Sequence, residues 1–276
     1  MSPTPTAGPA LARASIDLNA DLGEGASGDE GLDPERLDDL LLQQVSSANV
    51  ACGGHAGDAG SMARVCRLAV DRGVAIGAQV SYVDRAGFGR TRLDVAHGTL
   101  VAQLSDQVAA LRAIAIAEGG AVTYVKPHGA LYNAAADDES VAASVVESVL
   151  VDAERHGHPP YPLLTLPGCA LAQVAAARGV PVVGEAFADR AYTRDSRLVP
   201  RGTAGAVLDD EATVVARVVR LATEGMLRSI DGTDLAIGAA SVCLHSDTPG
   251  AARTAALVRA ALIEAGVAVV PFAASP

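Results

Sequence analysis

Short apolar runs recur along the chain, and between them lie longer stretches with apolar residues at three- and four-residue spacing. The runs at 14–20, 46–52, 74–80, 122–127, 163–167, 180–186, 241–245 and 267–271 fit buried strands, and the intervals at 34–44, 59–72, 97–118, 138–156, 169–178, 209–226 and 250–265 fit helices. Asp33 followed by Pro34 matches an N-cap with a first-turn proline. Strand and helix alternating in this way predict parallel strands joined by right-handed crossovers. The expected fold class is α/β, a distorted or incomplete TIM-like (β/α) barrel spanning residues 14–276 as one domain, with 1–13 as a disordered tail. A doubly wound open sheet is the alternative, because alternation does not show closure.

In both architectures, chemistry gathers at the carboxyl ends of the strands. The first strand ends in "DLNADLGEG", with Asp17, Asn19 and Asp21 at period two on one face and Glu24 just beyond. Polar residues at strict alternation inside a buried strand are costly unless they are used. Later strand ends carry Asn49, Cys52, His55 and Asp58; then Gln79, Ser81, Tyr82, Asp84 and Arg85; then Lys126, His128, Tyr132 and Asn133. Past those come Glu185, Asp189, Arg190, Tyr192 and Arg201, and finally His245 and Asp247. Lys126 is the sole lysine among 21 basic residues, so its site calls for a compact ammonium that arginine does not supply.

Composition narrows the classes. The 276 residues are 50% hydrophobic with a net charge of −11, which suits a large-cored domain and argues against nucleic acid. Four scattered cysteines without a C-x-x-C pair point to a reducing cytoplasm, and no signal peptide or uninterrupted membrane-length apolar run is seen. Cys66, Cys169 and Cys243 read as core, and His97, His156 and His158 as solvated helix ends.

In "VACGGHAGDAG" (50–60), Cys52 reads as a small buried wall, and His55 and Asp58 are expected to face the pocket across glycines that pass close to substrate. Asp58 also suits an N-cap. Metal-binding signatures such as H-E-x-x-H are absent, although Asp17 or Asp21 with His55 and His128 could gather a catalytic ion from separate strands. No metal ligand is assigned from these spacings. A P-loop is excluded as well, since the only lysine lies outside any glycine run. A pocket of carboxylates, histidines, Lys126 and arginines suits a small acid whose amide bond is hydrolysed.

The stretches "DLNADLGEG", "NVACGGHAGD", "SYVDRAGFGR", "VKPHGALYN", "GEAFADRAY", "LVPRG" and "HSDTPGA", in this order from about Ile16 to beyond Gly250, resemble the LamB/YcsF family. The resemblance implies a distorted barrel of the glycoside hydrolase/deacetylase type. It further implies ATP-dependent opening of 5-oxo-L-proline (pyroglutamate) to L-glutamate by a 5-oxoprolinase A subunit with B and C partners. Under it Asp17, Asp21, His55, Lys126 and His128 are expected to be catalytic. Asn19, Asn49, Tyr82, Arg85, Asn133, Glu185, Asp189, Arg190, Arg201, His245 and Asp247 are expected to bind substrate. More closely, Lys126 and Arg190 would hold the carboxylate or a phosphoryl group, Asp21 or Asp17 would act as base, and the histidines would move protons. Gln79 replaces the family's usual histidine, and Ser246 a glycine. Two rivals are a metal-dependent carbohydrate or amide deacetylase and a non-catalytic regulatory protein of the same complex.

Overall fold

The computed structural model describes residues 14–25 and 32–273. The expected tail at 1–13 lies outside the described residues. Seven parallel strands close into a barrel: β1 (Ser15–Leu22), β2 (Ser47–Ala51), β3 (Ala75–Val80), β4 (Val122–Pro127), β5 (Leu163–Thr165), β6 (Val182–Phe187) and β9 (Ser241–Leu244). Closure comes from β1, which pairs with β2 on one side and with β9 on the other. The run at 267–271 does not become an eighth stave. Only Ala268–Val269 (β10) pairs, beside Ser15 and Ile16 at the amino end of β1, where β9 has already taken the upper edge.

Helices α1 (Pro34–Leu42), α2 (Ala59–Arg72), α3 (His97–Ala117), α4 (Gly129–Asp137), α5 (Glu139–His156), α6 (Ala170–Ala177), α7 (Glu211–Glu224) and α8 (Ala251–Glu264) surround the strands. The stretch expected as one helix over 138–156 is preceded by α4, which Gly129 opens with φ of 57° directly after His128. Between α7 and β9 a short antiparallel hairpin, β7 (Met226–Arg228) and β8 (Asp234–Ala236), also escaped the periodicity, its strands being three residues each. Helix α3 has the length and mean hydropathy to cross a membrane, yet it packs between α2 and α5 with Leu100, Leu104, Val108 and Leu111 buried.

Every β1 residue from Ile16 to Leu22 is buried, its apolar positions under the helices and its polar ones in the barrel interior. The lower interior is plugged by Tyr124, whose ring lies where a side chain on Gly77 would be: a Cβ there would meet the ring at 2.1 Å. Phe272 closes the base against that ring, centroids 4.9 Å apart. A filled base leaves the upper end as the place for a ligand.

Candidate active site

At the carboxyl end of the barrel lies a cavity of ≈ 560 Å³. Asp21, Lys126 and His128 rise from strand ends, Glu24 and Tyr132 flank them, and Arg90, Arg190, Arg201, His245 and Asp247 crown the rim. Leu198, Val199 and Pro200 of the long loop after β6 form one wall, tied down by bonds from Arg190 Nη2 to the Val199 carbonyl (2.6 Å) and from Arg190 Nε to that of Ala206 (3.4 Å). Asn133 also lines the cavity and is anchored to the Gly129 carbonyl.

The floor is an ion network. Lys126 Nζ lies 2.8 Å from Glu185 Oε1 and 3.2 Å from Asp21 Oδ1, and it donates as well toward Asn19 Oδ1 and Cys243 Sγ, each at 3.2 Å. Burial works against each of these charges alone. For Asp21 the push upward by burial is outweighed by the Lys126 ammonium, which holds the carboxyl well below its usual range. Lys126 is raised well above its usual range, since Asp21, Cys243 and Glu185 together outweigh its own desolvation. A carboxylate held this low is a weak base, so Asp21 fits orientation and charge balance better than proton abstraction from water. The ammonium is likewise occupied by two carboxylates, whereas Arg90 and Arg201 share the single carboxylate of Asp247 and keep positive charge in excess for a substrate carboxylate.

Beneath that floor Asn49 Nδ2 donates to Asn19 Oδ1 (2.6 Å) and Asp21 Oδ1 (2.8 Å), and Asn19 Nδ2 donates to Glu185 Oε1 (3.1 Å). Asn19, Asn49 and Glu185 therefore support the site from below and do not line the cavity. Asp17 lies deeper still, accepting from Ser46 Oγ (2.7 Å), Ser47 Oγ (2.6 Å) and Ser241 Oγ. Burial, partly offset by these serines, pushes its carboxyl up to about 6. It is a structural group and not the expected catalytic one.

His55 and His128 stack with ring centroids 3.8 Å apart and planes within 10°, and His55 Nε2 is 3.0 Å from Glu24 Oε1. Burial lowers His55 from its ordinary value despite Glu24. Gly89, with φ of 65°, backs this pair: a Cβ there would meet His55 Cβ at 2.8 Å and His128 Cδ2 at 3.2 Å. The glycine-rich third loop thus serves the histidines more than a ligand. Across the cavity, Asp189 holds His245 by its Nδ1 at 2.7 Å. The two shift in opposite senses: burial alone would depress His245, and the Asp189 carboxylate reverses that and raises it. Asp189, pressed up by burial, is drawn below its usual range by His245. Asp189 orients His245 and does not itself line the cavity.

Three other expectations are corrected. Tyr82 faces away from the cavity into a separate groove with Arg92 and Asp138. Arg85 is exposed and donates to the Gly53 (3.1 Å) and Gly57 (2.9 Å) carbonyls, pinning the second loop from outside. Asp58 points outward too; it caps α2 by accepting from Ser61 N at 2.9 Å, and the glycines of its loop do not line the cavity. Cys52 is buried, its thiol raised by desolvation, but it does not line the cavity as a wall, whereas Cys243 is more than core because its sulfur touches Lys126. Periodicity missed Glu24 as a partner of the histidines and Arg90, bonded to Asp247. Glu24 sits in the quoted "DLGEG"; nothing in the local pattern singles out Arg90.

The LamB/YcsF family model matches residues 16–276. The chain is 53% identical over 258 residues to the 5-oxoprolinase A subunit of Streptomyces coelicolor, covering 94% of this chain and 100% of that one. Against the corresponding 5-oxoprolinase chain of Mycobacterium avium it is 51% identical over 260 residues, covering 94% and 99%. The crystal structure of the lactam utilization protein from Thermus thermophilus superposes with a TM-score of 0.83 at 38% identity, covering 94% of this chain and 100% of that one.

Proposed function

This chain belongs to the LamB/YcsF family, and from that premise we propose that it is the lactam-opening A component of a 5-oxoprolinase, converting pyroglutamate and water to glutamate. The observation that carries this reading is near-full-length identity above 50% to chains of that name. The cavity supports it chemically. Pyroglutamate is a small lactam with one carboxylate, and Arg90 and Arg201 stand at the rim where an anion enters. Arg190, bonded to the Val199 and Ala206 carbonyls, steadies the loop that carries Arg201.

The reaction adds water oxygen to the lactam carbonyl carbon, breaks the ring C–N bond and leaves the proton on the departing amine. Glu24 and His128 line the cavity where a water could be deprotonated, with His55, expected to face the pocket, stacked on His128 outside the lining; Asp21 orients the lactam, and Lys126 balances the two carboxylates of the floor. His245, fixed by Asp189, faces them across the cavity as proton donor. The cavity's ammonium is engaged by Asp21 and Glu185, and the sequence carries no P-loop. In this reading ATP is used by the complex together with the B and C partner subunits. Four free, buried thiols suit a cytoplasmic protein.

Reconstitution tests the proposal. The chain mixed with its B and C partners is expected to form glutamate from pyroglutamate in an ATP-dependent way, and omission of the chain is expected to abolish it. Full turnover by B and C alone would sink the assignment.

A further inference from the structure

The hydrogen-bond directions around His55 and His128 leave a gap that the lactam chemistry does not fill. His55 Nδ1 is 3.0 Å from Ser81 Oγ, and that hydroxyl can give its one proton to the Tyr82 carbonyl at 2.9 Å. With the Ser81 proton on that carbonyl, Nδ1 is the donor and Nε2 of the neutral ring turns its lone pair to Glu24 Oε1 at 3.0 Å; with the hydroxyl turned to Nδ1, Nε2–H donates to Glu24 instead. His128 is locked in the complementary sense: its Nε2 meets the Phe88 carbonyl at 3.3 Å, which can only accept. In the neutral ring its Nδ1 is then a lone pair, which meets the Gln79 amide nitrogen at 3.1 Å and lies 3.6 Å from the same Glu24 oxygen and 3.8 Å from Asp21 Oδ2.

Two inward imidazole nitrogens and a carboxylate oxygen thus converge on one point, an arrangement that a shared proton or a metal cation holds together. Histidines that bind metals are held this way, the outer N–H on a fixed acceptor and the inner nitrogen toward the ion. The three ligand atoms lie within 4.8 Å of one another, a span that small side-chain shifts close around one ion with bonds of about 2.0–2.1 Å. A second observation points to the same place. Gln79 is fully buried, its amide nitrogen touches His128 Nδ1 at 3.1 Å, and its Oε1 has no partner among the described residues. Half a turn of that amide withdraws the N–H from the imidazole and brings an oxygen in its stead.

We infer that Glu24, His55 and His128 bind one divalent cation of the zinc class, with the Gln79 amide oxygen beside it and an open position toward the cavity. Two imidazoles and a carboxylate favour zinc, cobalt or manganese over calcium or magnesium. Glu24 and His128 line the cavity, so the open position meets solvent and substrate. When bound, such an ion supplies Lewis-acid polarisation of a carbonyl and acidification of water. The inference stands apart from the lactam reading, because the ion is measured alone.

The experiment is equilibrium dialysis of chelator-stripped full chain against Zn²⁺ and Co²⁺, with metal analysis, visible cobalt absorption and histidine ¹⁵N NMR. It is run in a His156→Ala/His158→Ala background, because those half-buried histidines share the buried Asp152 near the end of α5 and form a second candidate cluster. One ion per chain at micromolar affinity or tighter is expected, with the His55 Nε2 and His128 Nδ1 resonances moving on addition. Glu24→Gln and His55→Ala are expected to weaken it more than about 100-fold, and Ser81→Ala, which frees the imidazole, about 10-fold or more. No binding, binding that leaves both resonances unmoved, or an apo His55 protonated on both nitrogens that takes up no ion would overturn the inference. The NMR readout needs no variant at the site, so a misfolded variant cannot blur the result.

Discussion

Asp17 and Asp21 occupy the same face of the same strand, four residues apart, and the barrel puts them to opposite uses. Asp17 at the lower end is enclosed by three serine hydroxyls from β9 and from the start of β2, and every contact around it is protein. Asp21 at the mouth shares its ammonium with Glu185 and opens onto the cavity. Around it stand groups without a partner among the described residues: Glu185 Oε2, Gln79 Oε1 and Tyr132 Oη. The lower network is closed, and a closed network specifies a fold. The upper one is unfinished, and it is finished by what binds.

The largest break in this comparison is removal of the ammonium. Lys126→Met leaves Asp21 and Glu185 as uncompensated buried carboxylates, which is expected to cost about 3–5 kcal/mol in urea unfolding as well as turnover. A loss below about 1 kcal/mol would mean that solvent reaches the floor and that the mouth is less dry than its burial indicates.

The sharper contrast pairs two isosteric changes. Asp21→Asn is expected to lower turnover of the reconstituted complex roughly 100-fold or more, and Asp17→Asn is expected to leave it within about threefold. Asp17 shows itself instead in the pH dependence of stability. Its carboxyl is raised from the ordinary 3.8 to about 6 in the fold, so between those values the native state binds the proton and the unfolded chain does not. Its contribution is fully present below pH 3.8, is lost as pH rises through 6, and is flat above. Wild type is thus expected to lose about 2 kcal/mol relative to Asp17→Asn between pH 4 and 7, read from urea midpoints. Equal turnover losses in the two variants would erase the distinction between floor and mouth.

That distinction is what the sequence could not supply. Alternation assigns Asp17, Asn19 and Asp21 to one face, and the barrel confirms the face, but depth along the barrel axis depends on strand stagger. Stagger is set by which residues of β2 and β9 stand opposite: Ser241 opposite Asp17, Asn49 opposite Asp21. The strands and most helices were legible because long segments repeat their period. The 267–271 run misled because its β-like pattern is real while its place beside β1 was already taken. Arg85, Tyr82 and Asp58 misled for a different reason: they follow strands at the correct end, and loop backbone then turns their side chains outward, a choice made by tertiary contacts such as the Gly53 and Gly57 carbonyls. Glu24 was visible in "DLGEG", yet its tie to His55 spans 31 residues of sequence and needs the fold.

The smallest expected effect probes the unfinished mouth itself. Tyr132 lines the cavity, its buried Oη is set toward Glu185 outside good hydrogen-bond geometry, and its phenol is raised well above its usual range by burial and then by that carboxylate. A buried hydroxyl in this state has lost its hydration without gaining a partner, so Tyr132→Phe is expected to leave stability unchanged or to gain up to about 1 kcal/mol. At a closed site such as Ser47, which donates to Asp17 at 2.6 Å, the matching loss of a hydroxyl is expected to destabilise by about 1–3 kcal/mol. If the hydroxyl serves bound substrate, Tyr132→Phe raises KM for pyroglutamate several-fold at nearly constant kcat, because the lost contact is made in ground and transition states alike. A stability loss like that at Ser47, with KM unchanged, would place Tyr132 with the closed network and move the boundary between the two regions up to the cavity wall.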